Sequence, residues 1–500
     1  MMVPAWGTPW MKPQNLIIVL LLILLGILVI NLHNSPMIGK TFITFTGSPS
    51  TQSTDDKTLQ KLDESLEYTL YCHFYLQNQS CPENYPKVPV LKSEEVSSCP
   101  NYFRWIHEDL KPWKVTGITR EMLEAGKDKA HFRLVILSGK VYVEFYRRSF
   151  ETRDTFTIWG IVQRLRKYPG MLPDVEILFN CGDVPLISAE SYKRGTVPPP
   201  LFSYCTDKNS LDIVFPDWSF WGWEEANIKP WNILAKDFAK GNHQVEWIDR
   251  QPYAFWKGNP TVASIRGTLM GCNASTDQDW NARLFNLNWF EERKVGFQST
   301  DLSSQCTYRY KIYIEGYGWS VSRKYIHACD SLSLVVNPKF LDFFSRGMQP
   351  LRHFWPISEN TMCGSIKFAV DWANTHPDKA QEMGKSGSSF ILEDMKMDYI
   401  YDFVFHLLHD YAKLQAFKPT IPEGAKEMCS DTMACSSIGI EREFSAQSLV
   451  TRPSSLLPCT MPSAYKPHEL AAFKKQTKNN IRLVEDWENA KLNASLINSM

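Results

Sequence analysis

Two short segments place cations beside residues that allow close backbone approach. Lys257-Gly258-Asn259 forms a turn bounded by Pro260, and Ser322-Arg323-Lys324 opens a stretch with helical spacing. A lysine next to glycine, and a hydroxyl with two cations at the amides of a helix's first turn, are groups that neutralise a diphosphate leaving group. Transfer from a nucleotide sugar needs such groups, together with a carboxylate that takes the proton of an acceptor hydroxyl. Asp183 is one candidate, because it follows the apolar run 175–179 through Asn180-Cys181-Gly182, and ligands of open α/β sheets gather beyond strand C-termini. Each residue type, taken singly, is equally at home on a turn, a cap or a solvated helix end.

Between these segments lies a dense aromatic region. Six tryptophans fall between Phe215 and Pro260, concentrated in the runs 215–223 and 252–260. Indole faces stack on the C–H faces of sugars, so Asp217, Trp218 and Trp221 are candidates for an acceptor-side wall, with Lys257, Gly258 and Asn259 beyond. Most large aromatics are buried, and for the tryptophans one by one an aromatic core is the competing reading.

Other chemistries lack their residues. No G-x-x-x-x-G-K-[ST], G-x-S-x-G or H-E-x-x-H pattern occurs, which argues against P-loop phosphoryl transfer, serine hydrolysis and zinc proteolysis. Asp277-Gln278-Asp279 is a D-x-D, but it follows a polar loop rather than an apolar strand, so no metal is expected there. Glu224-Glu225 and Glu291-Glu292 read as solvated charge pairs, since adjacent residues on a helix point apart rather than across a sugar. The 54 basic side chains balance 54 acidic ones, leaving no net field to draw nucleic acid.

The N-terminus and the cysteines indicate a compartment. Residues 16–30 are uninterruptedly apolar, Lys12 precedes them, and no small-x-small cleavage pattern follows closely. A signal anchor over 15–32 is expected, with a cytosolic tail at 1–14 and everything from about residue 33 in the lumen. Twelve cysteines fit an oxidising lumen. Cys72, Cys81 and Cys99 cluster at one end and Cys429, Cys435 and Cys459 at the other, without paired C-x-x-C spacing, so disulfides of undetermined connectivity are expected rather than zinc. Asn78, Asn273 and Asn493 head N-x-S sequons.

The elements that must position the site alternate. Residues 33–70 are polar and read as a stem. Residues 102–113 show helical spacing; 132–137 and 140–145 read as strands joined by Ser138-Gly139, a two-residue hairpin signal. A helix at 155–167 and a strand at 175–179 follow. Further on come strands at 309–315 and 331–336 and helices at 322–328, 340–344, 365–373 and 399–414, with a charged helix from 468. Two α/β units thus flank the aromatic region.

Five segments together carry a resemblance. The runs at 99–110 (Cys-Pro-Asn-Tyr-Phe-Arg-Trp-Ile-His-Glu-Asp-Leu), 212–223, 253–260 (Tyr-Ala-Phe-Trp-Lys-Gly-Asn-Pro), 310–316 and 324–331 (Lys-Tyr-Ile-His-Ala-Cys-Asp-Ser) resemble, in order, the plant members of the rumi-type O-glucosyltransferase family. The resemblance implies a B-type glycosyltransferase with two facing Rossmann-like domains, preceded here by the transmembrane helix. It implies inverting, metal-independent transfer from UDP-glucose or UDP-xylose, with no other cofactor, to a hydroxyl on a protein or cell-wall glycan. Lys257, Gly258, Asn259, Ser322 and Lys324 would then hold the donor. The expected division is 71–250 for a Cys-rich start and acceptor-side domain, 251–420 for the donor-side domain and 421–500 for an extension, anchored in Golgi or endoplasmic reticulum membrane.

Two departures qualify the base and the donor site. Where animal relatives carry a catalytic aspartate after the hairpin, this chain has Tyr146-Arg147-Arg148-Ser149, with Glu151 and Asp154 only nearby, so the base is unassigned and Asp154 and Asp183 are the candidates. Plant members usually have an acidic residue after the serine matching Ser322, and Arg323 stands here instead. These departures support the alternative, a silent glycan-binding homologue.

Overall fold

The computed structural model describes residues 67–82, 96–192, 196–297 and 300–498, with side chains through 491. The apolar run 15–32, the tail before it and nearly all of the stem lie outside them. No helix among the described residues is long and apolar enough to cross a membrane.

Among the described residues eleven strands form two sheets, the first carrying one side of the site. Its first two strands are β1 (Phe132–Leu137) and β2 (Lys140–Phe145), a hairpin closed by Ser138 (φ 52°) and Gly139 (φ 78°). Two positive φ angles match the twist of the flanking strands, as the Ser-Gly dipeptide requires. Next come β3 (Val175–Phe179), β4 (Phe202–Ser203) and β5 (Ile213–Val214). The sheet order is β11-β2-β1-β3-β4-β5, where β11 (Lys426–Met428) returns from near the C-terminus. β1 runs antiparallel to both neighbours and β3, β4 and β5 are parallel, so this sheet is mixed. The helix Met397–Ala412 packs on β3 and against the helix Arg153–Lys167.

The second sheet is parallel throughout. It contains β6 (Gln251–Gly258), β7 (Ala282–Asn286), β8 (Tyr308–Tyr313), β9 (Leu332–Val336) and β10 (Trp355–Ile357) in the order β10-β9-β8-β6-β7. From β6 the chain moves outward to β7, then crosses to β8 on the other side. A crevice therefore opens at the C-terminal ends of β6 and β8, where the direction of winding reverses. The helices Ser322–Ala328, Met362–Thr375 and Pro377–Leu392 pack around this sheet. The last helix, Pro467–Asn498, brings Trp487 against Trp372 and Trp355.

Disulfides join the chain's two ends. Cys72–Cys435, Cys81–Cys429 and Cys99–Cys459 tie the N-terminal cysteine cluster to the C-terminal one, and Cys272–Cys363 and Cys306–Cys329 lie within the second half. Cys181 and Cys205 are buried thiols.

Two expected helices take other forms. Residues 102–113 break into a 3₁₀ turn Asn101–Arg104, a short helix Trp105–Asp109 and a second 3₁₀ turn Lys111–Trp113. Pro112 lacks the N–H that a continuous helix would use, yet Tyr102, Phe103, Ile106 and Trp113 still reach the core. Residues 340–344 form no helix: Leu341 makes an isolated β-bridge, and Phe343 and Phe344 turn into the short 3₁₀ turn Ser345–Gly347. Leu341 exchanges both backbone hydrogen bonds with Thr206 just beyond β4, at 2.9 and 3.0 Å, and so stitches the second half of the chain to the first sheet.

Candidate functional site

Beyond β3, the Asn180 side chain shapes the turn that presents Asp183. Its Oδ1 accepts from the Gly182 N–H at 2.9 Å and its Nδ2 donates to the Val184 carbonyl at 3.0 Å. Asp183 Oδ1 then accepts from Arg153 Nη1 at 2.8 Å, and the same nitrogen donates to the Cys181 carbonyl at 3.2 Å. Arg153 opens its helix with only 7% of its side chain exposed, its guanidinium 4.6 Å from the Trp218 ring and 5.1 Å from the exposed Phe150.

Glu151 lies two residues before Arg153, in a left-handed backbone conformation of φ 59° that a β-carbon disfavours. Its Oε2 accepts from Trp223 Nε1 at 2.9 Å, and Arg153 Nε lies 3.9 Å away. Beside it, Thr152 Oγ1 donates to Glu225 Oε2 at 2.9 Å. Loss of water raises the Glu151 carboxyl to about 7; Glu225 and Asp183 add to the rise, while Arg153 and the Trp223 N–H oppose it.

On the second sheet, Arg266 occupies the crevice between β6 and β8. Its guanidinium donates to the carbonyls of Glu315 (2.8 Å) and Asn259 (3.2 Å), and to Ser320 Oγ (3.2 Å). The charge is thereby fixed where the winding reverses. Burial lowers its pKa from the ordinary arginine value. Ser322 Oγ shares a 2.8 Å hydrogen bond with Ser320 Oγ.

One loop, residues 316–322, joins the two sides. Gly318 packs so closely on the first sheet's turn that a Cβ there would lie 1.8 Å from the Asp183 carbonyl oxygen. Trp319 Nε1 donates to the Tyr204 carbonyl at 2.9 Å. The loop thus has the Glu151–Arg153–Asp183 group at one shoulder and Arg266, Ser320 and Ser322 at the other. Chemically, the loop links a carboxyl pushed up to about 7 on one side with a fixed cation and hydroxyls on the other, groups of the kinds that deprotonate an acceptor and neutralise a leaving anion.

The model for glycosyl transferase family 90 matches residues 94–488, all but the two ends of the chain. This chain belongs to glycosyl transferase family 90. It is 26% identical over 354 residues to protein O-glucosyltransferase 1 of Bos taurus, covering 67% of this chain and 86% of that one. Against the Homo sapiens protein of the same name identity is 25% over 344 residues, covering 65% and 83%. Against O-glucosyltransferase rumi of Drosophila melanogaster it is 23% over 360 residues, covering 69% and 84%. The chain is accordingly a glycosyltransferase, an enzyme that moves a sugar to a hydroxyl acceptor.

Several expected site residues of this family 90 chain lie elsewhere than their types suggest. Lys324 is buried: its Nζ donates to both Asp217 oxygens at 3.1 and 3.0 Å and to Ser219 Oγ at 2.6 Å. It faces the interior of the first half, and in this structure it offers no ammonium to a donor. Asp217 is its partner and, like Trp218 and Trp221, is buried, so none of the three forms an open acceptor wall. Trp221 fills the space left by Gly160, where a Cβ would meet the indole at 2.4 Å. Of the six tryptophans in the aromatic region only Trp223 keeps partial exposure, and it is the one that holds Glu151. Arg323, too, is interior, 4.9 Å from the Tyr313 ring and balanced by Asp342 and Glu315 rather than set beside a phosphate.

The remaining candidates stay at or near the crevice. Lys257 and Gly258 end β6, with Gly258 packed on the Trp256 ring, and Asn259 caps the turn that follows by accepting from the Thr261 N–H at 2.9 Å. Asp154 lies in the first turn of its helix, where Oδ1 accepts from the Thr155 N–H at 2.8 Å. Both Asp279 oxygens are occupied by Arg283 at 2.9 Å, and Glu291 pairs with Lys294 on an exposed turn. Glu225 is held by Thr152 and belongs to the site's edge, not to a solvated pair. Glu151 and Arg266 were not among the sequence candidates. The available signals were the charge-dense Arg-Arg-Ser-Phe-Glu-Thr-Arg-Asp run at a strand-to-helix junction and a cation eight residues after Gly258.

Proposed function

We propose that this enzyme transfers glucose, or xylose, from a UDP-sugar to a hydroxyl of a protein or cell-wall glycan, with inversion and without a metal. The observation that carries the reading is the 316–322 loop, which brings the β6–β8 crevice and its Arg266 against the Arg153–Asp183 side. The relatives' names add glucose as the sugar and protein as the acceptor class. In this reading the two halves are facing domains of the B type, near 71–250 and 251–420. UDP lies on the second, its diphosphate met by Lys257, Arg266, Ser322 and the Gly258-Asn259 turn. The acceptor oxygen attacks the anomeric carbon from the first-sheet side, the bond to the β-phosphate breaks with its electron pair on UDP, and the hydroxyl proton passes to a carboxylate. Five disulfides, the sequons and the apolar run at 15–32 support a type II anchor with the catalytic part in the lumen of the endoplasmic reticulum or Golgi.

The test is UDP release by the full-length chain from UDP-glucose and UDP-xylose, with and without EDTA, alongside calorimetric binding of each. Turnover unchanged by EDTA, and donor affinity at least about tenfold weaker in Arg266→Ala, are expected. Failure to bind either UDP-sugar refutes the reading, and turnover abolished by EDTA refutes its metal independence.

A further inference from the structure

We infer that Glu151 is the general base of the transfer, with Arg153 and Trp223 as the residues that position it; the inference rests on the sugar-transfer reading above. Besides Glu225, which Thr152 engages, three carboxylates stand on the acceptor side; each has one oxygen hydrogen-bonded and the other without a protein partner among the described residues, so the kind of partner separates them. Asp183 commits Oδ1 to the Arg153 guanidinium at 2.8 Å, and its backbone is pressed on Gly318. Asp154 turns Oδ1 back to its own helix, at the Thr155 N–H. Glu151 has one oxygen held by Trp223, while Oε1 has no protein hydrogen-bond partner among the described residues. Its side chain is 18% exposed, enough for one face to meet a substrate.

The surroundings supply what a base needs. Arg153 is more than nine-tenths buried, and its Nε, without a hydrogen-bond partner, lies 3.9 Å from Glu151 Oε2. That cation favours the ionised base without consuming its free oxygen. The left-handed backbone at Glu151 gives a second sign of a constrained position: a non-glycine residue stays there only when its surroundings hold it, here through the Trp223 N–H on its carboxylate and the Ser149 hydroxyl, which donates to its backbone carbonyl at 3.0 Å. The exposed Phe150 ring next to it offers an acceptor an apolar contact. In the step itself the acceptor O–H proton moves to Glu151 Oε1, the acceptor oxygen bonds to the anomeric carbon, and UDP departs with the electron pair of the broken C–O bond. A carboxyl titrating near 7 is half ionised at neutral pH and stronger as a base than an ordinary glutamate. Only its ionised form works, so activity rises with pH through that value.

The test uses the full-length chain, UDP-glucose, water as the acceptor and sodium azide as a nucleophile that needs no base. Wild type should show an acid limb in kcat/KM near pH 7. Glu151→Gln and Glu151→Ala should lose at least about 100-fold in kcat with UDP-glucose affinity within about threefold, and lose the limb. Azide should restore UDP release to Glu151→Ala and yield glucosyl azide. Asp154→Asn should lower kcat without moving the limb, whereas Asp183→Asn should lower kcat and move the limb to lower pH, because the Asp183 charge adds to the rise at Glu151. Folding is checked by melting: a carboxyl whose folded pKa lies above its unfolded value loses stability as pH rises between the two, so Glu151→Gln should melt at or above wild type at pH 8. Two results overturn the assignment: Glu151→Ala keeping a third or more of wild-type turnover with the limb intact, or azide rescue in the Asp154→Ala or Asp183→Ala chain instead. A wild-type chain that neither binds nor cleaves UDP-glucose or UDP-xylose would refute the parent reading, whereas an active wild type with either of the two results above refutes Glu151 alone.

Discussion

Lys324 separates a structural cation from a ligand-binding one, and the difference is measurable. Its side chain is 1% exposed and that of Asp217 is 7%, and three hydrogen bonds from Nζ join them and Ser219. The Phe220 and Tyr325 rings flank the ammonium at 4.5 and 4.7 Å. Burial pulls the Lys324 ammonium below the ordinary lysine pKa, and the Asp217 charge opposes that pull. Removing one member of such a pair leaves an uncompensated buried charge, which costs about 3–5 kcal/mol. Asp217 would keep hydrogen bonds from the Ser219 N–H, at 3.0 Å, and hydroxyl, so Lys324→Met should fall near the lower end of that range.

An unfolding entropy of about 2.1 cal/mol/K per residue over roughly 400 folded residues is about 0.8 kcal/mol/K, so a loss of 3–5 kcal/mol lowers the melting temperature by about 4 to 6 °C. Asp217→Leu should do the same. The double variant Asp217→Leu with Lys324→Met should recover most of the loss, because a buried pair replaced by apolar groups of similar volume is close to neutral. Scanning calorimetry at a fixed scan rate on the four chains measures this cycle, and titration with UDP-glucose measures the donor site in parallel. Affinity should change less than about threefold. Lys324→Met that melts within a degree of wild type yet loses tenfold in UDP-glucose affinity would refute the structural role and return Lys324 to the donor site.

Gly318→Ala should lower turnover by about tenfold or more and destabilise by about 1–3 kcal/mol, because the new Cβ would lie 1.8 Å from the Asp183 carbonyl and the two sides must separate to admit it. Calorimetry and UDP release check both; an alanine chain with wild-type kcat would show that this close approach does not set the site. Among the sequons, Asn78 is exposed at the end of a short helix, whereas both amide atoms of half-buried Asn273 are hydrogen-bonded to the Leu284 backbone, at 3.1 and 3.0 Å. Glycopeptide mapping should find glycan on Asn78 and none on Asn273, and a glycosylated Asn273 in the folded enzyme would contradict the structural role of that side chain.

What could be read from the sequence follows the range of the interactions involved. The β1–β2 hairpin, the helix after it, β3, β8 and β9 were legible, because Ser138-Gly139 and the apolar periodicities are local signals that tertiary packing did not override. Residues 102–113 kept their apolar positions but not their continuity, with Pro112 interrupting the helix. The positions of Lys324, Arg323 and Asp217 were not legible. Adjacent charged residues ordinarily face water, and nothing local tells that the first-half turn at Asp217 will close over Lys324 across 107 positions of sequence. Glu151 was obscured for a related reason: its partner Trp223 is 72 positions away and its backbone conformation is not one that glutamate favours.

The contacts at the floor of the site also determine how variants there must be read. Thr206 pairs with Leu341, Tyr204 accepts from Trp319, Asp183 touches Gly318, and Asp217 binds Lys324; each joins the first-sheet side to the second-sheet side. The relative placement of acceptor-side carboxylates and donor-side cations therefore depends on groups that also hold the fold together. A variant at Gly318 or Lys324 that lowers activity carries a melting defect with it, and its kinetics alone assign no chemical role. Glu151 is the opposite case. Its ionised carboxylate costs stability at neutral pH, so removing the charge should stabilise the fold while abolishing turnover. Opposite signs in the two measurements distinguish a residue kept for chemistry from the residues that carry it, and at this site the distinction falls between Glu151 and the Gly318–Lys324 floor.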